Sequence, residues 1–150
     1  MSLWMLKGTK LLSKVNLMFL KKFWPAITWS LLTLLLMGLP GNVFPEIVSF
    51  WDWLSPDKVV HLFIFGTLSF LILLGFREEL QAGKRRKYIV LAVMISLLYG
   101  VFTEFLQYYV FTGRSGNVYD ALADGFGAIF GWLLYEPLMR LLKKMKLLHS

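Results

Sequence analysis

Ionisable side chains interrupt three apolar segments of this sequence. Asp120 and Asp124 lie four residues apart at the start of one apolar run, so a helix would put both carboxylates on the same side. Glu104 lies inside a second run, and His61 lies near the start of a third. Because a carboxylate at the centre of a bilayer costs about 2.5–3.5 kcal/mol, such residues are functional candidates by default. Carboxylates beside a histidine suit proton transfer, cation binding or recognition of a polar ligand.

The composition is that of a polytopic membrane protein. The chain of 150 residues is 57% hydrophobic and has a mean hydropathy of +0.62. Apolar runs of about twenty residues recur, as in transmembrane helices. The basic residues, which give a formal net charge of +7, flank these runs instead of lining one polar face, which argues against nucleic-acid binding. The chain has no cysteine, which excludes disulfides and cysteine-based zinc or redox sites.

Four membrane spans are predicted within a single domain over residues 1–150. They cover about residues 23–40, 56–76, 88–110 and 118–142. Residues 1–22 carry lysines at helical spacing between apolar residues, which predicts an amphipathic helix on the membrane surface; a frayed basic tail is the alternative. The first apolar run lacks a small-residue cleavage site, so we expect it to be retained as an anchor. The predicted fold class is all-α, a bundle of four transmembrane helices with an N-terminal interfacial helix.

The distribution of basic residues predicts the orientation of these spans. Lysines and arginines are concentrated in residues 1–22, in the 77–87 connection and in the C-terminal tail. By the positive-inside rule, these parts and both termini lie in the cytoplasm. The 40–56 connection is acidic and aromatic, as expected of the outer interface. We therefore expect a multi-pass protein of the bacterial cytoplasmic (inner) membrane, with its polar side chains near the outer leaflet.

Helical spacing predicts how these polar side chains meet. The two aspartates share a stripe with Gly127 and Gly131, a small-residue pattern that lets another helix approach closely. We expect this stripe to pack against a similar one on the third span, made of Ser96, Gly100, Glu104 and Gln107. The candidate ligand-binding residues are Asp57, Lys58, His61, Glu104, Gln107, Arg114, Asp120 and Asp124.

Several of these residues also have a purely structural interpretation. Asp57 follows a serine and a proline and is favourable to the dipole of a new helix. Lys58 is compatible with a side chain that extends to the membrane interface. His61 alone is compatible with a hydrogen-bonded interior histidine. Glu104 has the weakest structural explanation, because it interrupts an otherwise apolar helix.

Two segments, "PDKVVHLFIFGTLSFLI" and "GVFTEFLQYYVFTGRSGNVYDALADGFGAIFG", resemble the VanZ-like family over about residues 55–135. The family pattern is D-K-x-x-H-F opening one span, E-x-x-Q ending the next, a turn with G-R, and D-x-x-A-N-x-x-G-x-x-x-G opening the last. The matching positions are Asp57, Lys58, His61, Glu104, Gln107, Gly113, Arg114, Asp120, Gly127 and Gly131. Two positions depart from the pattern: Leu62 replaces an aromatic residue, and Asp124 replaces an asparagine.

The resemblance implies a bacterial cell-envelope protein. The founding member of the family is associated with resistance to the lipoglycopeptide teicoplanin, outside the enzymatic remodelling of peptidoglycan precursors. The implied partners are membrane lipids and a lipid-linked cell-wall precursor or lipoglycopeptide. The cofactor stays unknown, and the oligomeric state stays open, a homodimer included.

Three functions are compatible with these residues. In the first, an outer-leaflet pocket binds a lipid head group, a lipid-linked intermediate or a lipoglycopeptide, with Arg114 on its phosphate or carboxylate and Lys58 and His61 assisting. In the second, Glu104, Asp120 and His61 serve as acid and base in an intramembrane hydrolase or transferase, with or without a divalent metal. The third is a proton-coupled transporter, the least favoured, because the four spans show no inverted repeat.

Overall fold

The computed structural model describes residues 3–39, 56–111 and 118–148, and this part of the chain is all-α, as predicted. Its five helices are α1 (Leu3–Met37), α2 (Pro56–Gly75), α3 (Arg77–Gln81), α4 (Arg85–Tyr109) and α5 (Val118–Leu148). By length and composition, two of them could cross a membrane, over Asp57–Gly75 and Arg85–Tyr109. The bundle of four spans therefore stays a prediction.

The helix boundaries differ from the predicted ones in three places. α1 runs without a break from Leu3 to Met37, so the predicted surface helix and the first predicted span are one helix that carries Pro25 inside it. The short helix α3 lies in the 77–87 connection, where no helix is predicted. Gly83 has a φ of 83°, a left-handed conformation that glycine adopts without strain, and it turns the chain from α3 into α4. α5 continues to Leu148 through an internal proline.

The core of the described bundle lies along α2. This helix packs on α1, α4 and α5, and its packing on α5 is the most extensive. Phe65, Leu68 and Leu73 of α2 are fully buried, and Ala92 of α4 and Ala128 of α5 lie against neighbouring helices without any exposed surface. Small residues on the outer helices let the large side chains of α2 fill the interior.

The glycine stripe of α5 packs on α2, so the prediction that it packs on α4 is wrong. A Cβ atom on Gly131 would overlap the carbonyl oxygen of Gly66, and a Cβ atom on Gly127 would overlap that of Leu62. The carboxylate end of the stripe does meet α4, because a Cβ atom on Gly100 would lie 2.8 Å from the side chain of Asp124. A single stripe reaches both neighbours because α5 lies in the angle between α2 and α4.

Side-chain hydrogen bonds fasten α1 to the rest of the bundle. The indole nitrogen Nε1 of Trp29 donates to the carbonyl oxygen of Ile64 on α2 at 2.9 Å. The hydroxyl of Tyr99 on α4 donates to the carbonyl oxygen of Ser30 at 2.5 Å. These bonds satisfy two amphipathic side chains that would otherwise bury a polar atom without an acceptor.

Candidate functional site

The centre of the site is a contact between His61 on α2 and Asp124 on α5. Nδ1 of His61 lies 2.9 Å from Oδ1 of Asp124. Both side chains are removed from solvent, with exposures of 2% and 0%. The contact depends on the close approach of the two helices, which the glycines at positions 127 and 131 permit one and two turns further along α5.

Two more carboxylates surround this pair. Oε1 of Glu104 on α4 lies 3.7 Å from Nδ1 of His61, and Glu104 is 8% exposed. Asp120, one turn before Asp124 on α5, is 5% exposed. The structure therefore brings together four of the predicted residues, from three helices, at the end of the bundle where α2 and α5 begin and α4 ends. We call His61, Glu104, Asp120 and Asp124 the His61 cluster.

The other predicted residues lie at the edge of the cluster or outside it. Asp57 is at the edge: its side chain is 56% exposed, and its Oδ1 atom lies 4.0 Å from Nε2 of His61. Lys58, the next residue on α2, is half-buried. Gln107 is buried, and its side-chain amide donates to the sulfur of Met37 at 3.2 Å. Gln107 thus connects the end of α4 to the end of α1, a role that its sequence position gave no reason to expect.

Arg114 and Gly113 lie outside the described residues. The predicted pairing of Arg114 with Glu104 or Asp120 therefore stays a prediction. The same holds for the acidic and aromatic connection over residues 40–55.

The two ring nitrogens of His61 have different surroundings. If Nδ1 carries the proton of a neutral imidazole, it donates to Asp124, and Nε2 then presents a lone pair. Nε2 is the nitrogen on the side of Asp57, which is the exposed edge of the cluster. A carboxylate on the far nitrogen that fixes the ring orientation is a common arrangement for a histidine that acts as a base or a metal ligand.

The charge balance of the cluster is acidic. Among the described residues, three buried carboxylates surround one imidazole. Oδ2 of Asp124 is buried and accepts no hydrogen bond from any described residue. An unsatisfied buried carboxylate oxygen lowers stability, so its presence here points to a function beyond packing.

Two overlapping groups in this site have the composition of a cation site. The first is Asp57, His61 and Asp120, and the second is His61, Glu104 and Asp124. In each group, one ligand atom from every residue lies within 4.8 Å of the others. Carboxylate oxygens and an imidazole nitrogen suit Mn²⁺ or Zn²⁺, and the oxygens alone suit Mg²⁺ or Ca²⁺.

Comparisons with known proteins give one finding. The chain matches the family model VanZ/LLP1 over residues 6–142, which includes the whole His61 cluster and extends beyond the 55–135 segment whose motifs resemble the family. Comparisons with curated proteins and with solved structures found no match. Together with its long apolar helices, the match indicates a membrane protein. The chain belongs to the VanZ/LLP1 family.

Proposed function

We propose that this protein binds the polar part of an amphiphilic cell-envelope molecule at the His61 cluster, within the bacterial cytoplasmic membrane. The observation that supports this most is the burial of four ionisable side chains, which are 0–8% exposed, at one end of an otherwise apolar bundle. Desolvating such groups lowers stability, and packing does not need them. Binding a polar ligand accounts for their presence.

The outer surface of the bundle supports a membrane location. Large apolar side chains are exposed along α1, α4 and α5, among them Leu31, Leu35, Val101, Phe105, Phe130 and Leu133. An exposed apolar surface of this extent is unusual for a water-soluble monomer. We propose that α1, α2, α4 and α5 all cross the membrane and that the His61 cluster lies near the outer leaflet, where an amphiphile could reach it.

The chemistry of the site indicates what the ligand must carry. The carboxylates of the cluster would accept hydrogen bonds from hydroxyl, amide or ammonium groups. Lys58 at the edge, together with Arg114, would contact a phosphate or carboxylate. A lipid head group, a lipid-linked cell-wall intermediate and a lipoglycopeptide each combine such groups with an apolar chain. Reduced susceptibility to teicoplanin would follow if the lipoglycopeptide is the ligand.

A thermal-shift experiment tests this proposal. A ligand that binds the native state raises the melting temperature. Teicoplanin or a purified lipid-linked cell-wall intermediate, added to the purified protein in detergent, should stabilise the parent protein. Glu104→Gln, which keeps the side-chain shape, should lose most of the shift. Glu79→Gln, outside the cluster on α3, is the control and should keep it. The proposal is wrong if neither addition stabilises the parent, or if Glu104→Gln responds as the parent does.

An intramembrane hydrolase or transferase is the second candidate, and the two cation-site groups favour it. A divalent cation held by Asp57, His61 and Asp120 would polarise a phosphoryl oxygen or activate water. In a hydrolysis, one cluster base would take a proton from the attacking water, and an acid would return a proton to the departing oxygen. Asp124 would orient His61 through its hydrogen bond.

Metal binding separates the two candidates. Under the second candidate, Mn²⁺ or Zn²⁺ should raise the melting temperature of the parent protein, and a chelator should reverse the effect. His61→Gln and Asp120→Asn should abolish the shift. If no divalent cation stabilises the parent, the metal-dependent enzyme is excluded and ligand binding is favoured.

A further inference from the structure

We propose a second ligand site, for an anionic glycerophospholipid, at the opposite end of the bundle from the His61 cluster. The phosphate would lie in a basic cavity formed by α3, α4 and α5, and one acyl chain would lie in an apolar groove between α4 and α5. This site shares no residue with the His61 cluster and does not depend on the function proposed for it.

The cavity has the charge that a phosphate requires. It measures about 410 Å³ and is lined by four cationic side chains and one carboxylate. The charged and polar residues in its wall are Arg77, Gln81, Arg85, Glu136, Arg140 and Lys143. Because the cations outnumber the carboxylate, the cavity attracts an anion. Basic pockets between membrane helices on the cytoplasmic side bind anionic head groups for this reason.

The single carboxylate holds two of the arginines in place. Glu136 forms ion pairs with Arg85 and Arg140, the latter at 3.2 Å. A guanidinium group has five N–H donors, so a pair with one carboxylate leaves donors free for a phosphate. Glu136 thus lies between two of the cationic side chains that face the cavity, while Arg77 and Lys143 supply further positive charge.

The apolar groove adjoins the cavity. It measures about 510 Å³, and Arg85 lines both the groove and the cavity. Its apolar wall consists of Ile89, Val90, Val93, Met94, Ile129 and Trp132. The wall residues of α4 follow Arg85 along the helix over about 13 Å, at 1.5 Å per residue. An acyl chain attached to a phosphate in the cavity would thus have an apolar surface to follow.

The joined pair of cavities favours a lipid over a free anion or a peptide. Inorganic phosphate would use only the basic cavity and leave the groove empty. An acidic peptide would place its backbone N–H groups against a wall whose polar side chains, Arg85, Arg86 and Trp132, offer no hydrogen-bond acceptor. A phospholipid carries a charged phosphate next to an apolar chain, which matches a basic cavity next to an apolar groove. The predicted cytoplasmic location of this end also places it at the leaflet that is rich in anionic lipids.

Native mass spectrometry of the full chain in detergent tests the proposal. Phosphatidylglycerol should remain bound, with an apparent Kd at least tenfold lower than that of phosphatidylcholine with the same acyl chains. Inorganic phosphate should compete weakly. The double variant Arg77→Gln/Lys143→Gln, which leaves the Glu136 ion pairs intact, should weaken phosphatidylglycerol binding about tenfold, or about 1.4 kcal/mol. Val93→Phe, which narrows the groove, should weaken the binding of phosphatidylglycerol. Its affinity for the competing inorganic phosphate should stay unchanged.

A matched control separates a site from general attraction of anions to a basic surface. Lys87→Gln/Lys144→Gln also removes two positive charges, one from α4 and one from α5, but it alters no residue of the cavity wall. This control should bind within twofold of the parent. Equal losses in the two double variants, or equal affinity for the two lipids, would refute the site. An unaltered affinity in Val93→Phe would refute the acyl-chain groove. Because the Glu104→Gln variant should bind phosphatidylglycerol normally, failure of this proposal is distinguishable from failure of the proposed function.

Discussion

Nδ1 of His61 and Oδ1 of Asp124 lie 2.9 Å apart although 63 positions separate them in the sequence. This hydrogen bond joins the first turns of α2 to those of α5, inside the bundle. It also leaves Nε2 of His61 on the side of the exposed Asp57. The pair therefore serves both packing and the chemistry of the site, and variants can separate the two roles.

Asp124→Asn should fold nearly as well as the parent. The asparagine oxygen can accept the same hydrogen bond from Nδ1–H, and an uncharged amide is less costly to bury. Asp124→Leu has a similar size but no acceptor, so it should lower the free energy of unfolding by about 1–3 kcal/mol. Denaturant unfolding of the purified proteins measures both. Equal losses of unfolding free energy in Asp124→Asn and Asp124→Leu would show that the charge of Asp124, and not its hydrogen-bond acceptor, holds His61.

Asp120→Asn should impair function more than Asp124→Asn. Asp120 matches the aspartate of the family pattern, whereas position 124 usually holds asparagine in proteins of this pattern. The thermal shift produced by teicoplanin or the lipid-linked cell-wall intermediate, compared between the two single variants, measures the difference. A larger loss in Asp124→Asn would show that the charge at position 124 is specific to this protein.

Gly131→Ala should separate α2 from α5. The added methyl group would overlap the carbonyl oxygen of Gly66, which is backbone and cannot rotate away. We expect a loss of about 1–3 kcal/mol, from overpacking. Gly125→Ala on the same helix is the control, because its methyl group would meet only the flexible end of Leu97, at 3.3 Å. Thermal unfolding should show a lower melting temperature for the first variant only. A parental melting temperature in Gly131→Ala would contradict the close helix contact.

Trp29→Phe should weaken the attachment of α1. The variant keeps an aromatic ring but loses the N–H that donates to the carbonyl oxygen of Ile64. The expected loss is about 0.5–1.5 kcal/mol, the net value of one hydrogen bond. Trp24→Phe is the matched control, since Trp24 is 63% exposed. Limited proteolysis of α1 should accelerate in Trp29→Phe and stay unchanged in Trp24→Phe; equal rates would argue against this attachment.

The ion pair between Lys22 and Glu79 should give a pH-dependent contribution to stability. Nζ of Lys22 lies 2.7 Å from Oε1 of Glu79. The hydrogen bond from Lys22 lowers the pKa of Glu79, and the bond to Glu79 raises the pKa of Lys22. A lowered carboxyl pKa stabilises the fold above the ordinary pKa of glutamate, and this contribution is lost as the pH falls through the lowered value. At alkaline pH the contribution is lost as well, as the pH rises through the raised pKa of Lys22.

Glu79→Gln is the variant that tests this pair. At pH 7 it should unfold about 0–1 kcal/mol more easily than the parent, since both side chains are partly exposed. The two proteins should converge as the pH falls through the lowered pKa of Glu79, because the parent carboxyl then becomes uncharged like the glutamine. Melting temperatures from pH 3 to pH 8 measure the difference. A constant difference across this range would show that the interaction is not ionic.

The sequence by itself determined the class of fold and most of the candidate site. Apolar runs of helical length indicated an all-α chain, because a run of that length can satisfy its backbone polar groups within a helix. The i, i+4 spacing of Asp120 and Asp124 placed both carboxylates on one side of α5. The ionisable residues within apolar runs, His61 and Glu104 among them, identified the cluster before any contact was known.

Only the tertiary structure decided which side chains touch. Helical periodicity gives the face of a helix but not the neighbour that covers it, so the glycines of α5 were assigned to α4 although they contact Gly66 and Leu62 of α2. The hydrogen bond from Gln107 to Met37 could not be predicted for the same reason, and an apolar methionine gives no sequence signal as a hydrogen-bond acceptor. The pairing of His61 with Asp124 depends on how closely the backbones of α2 and α5 approach, and this distance follows from packing across the whole bundle.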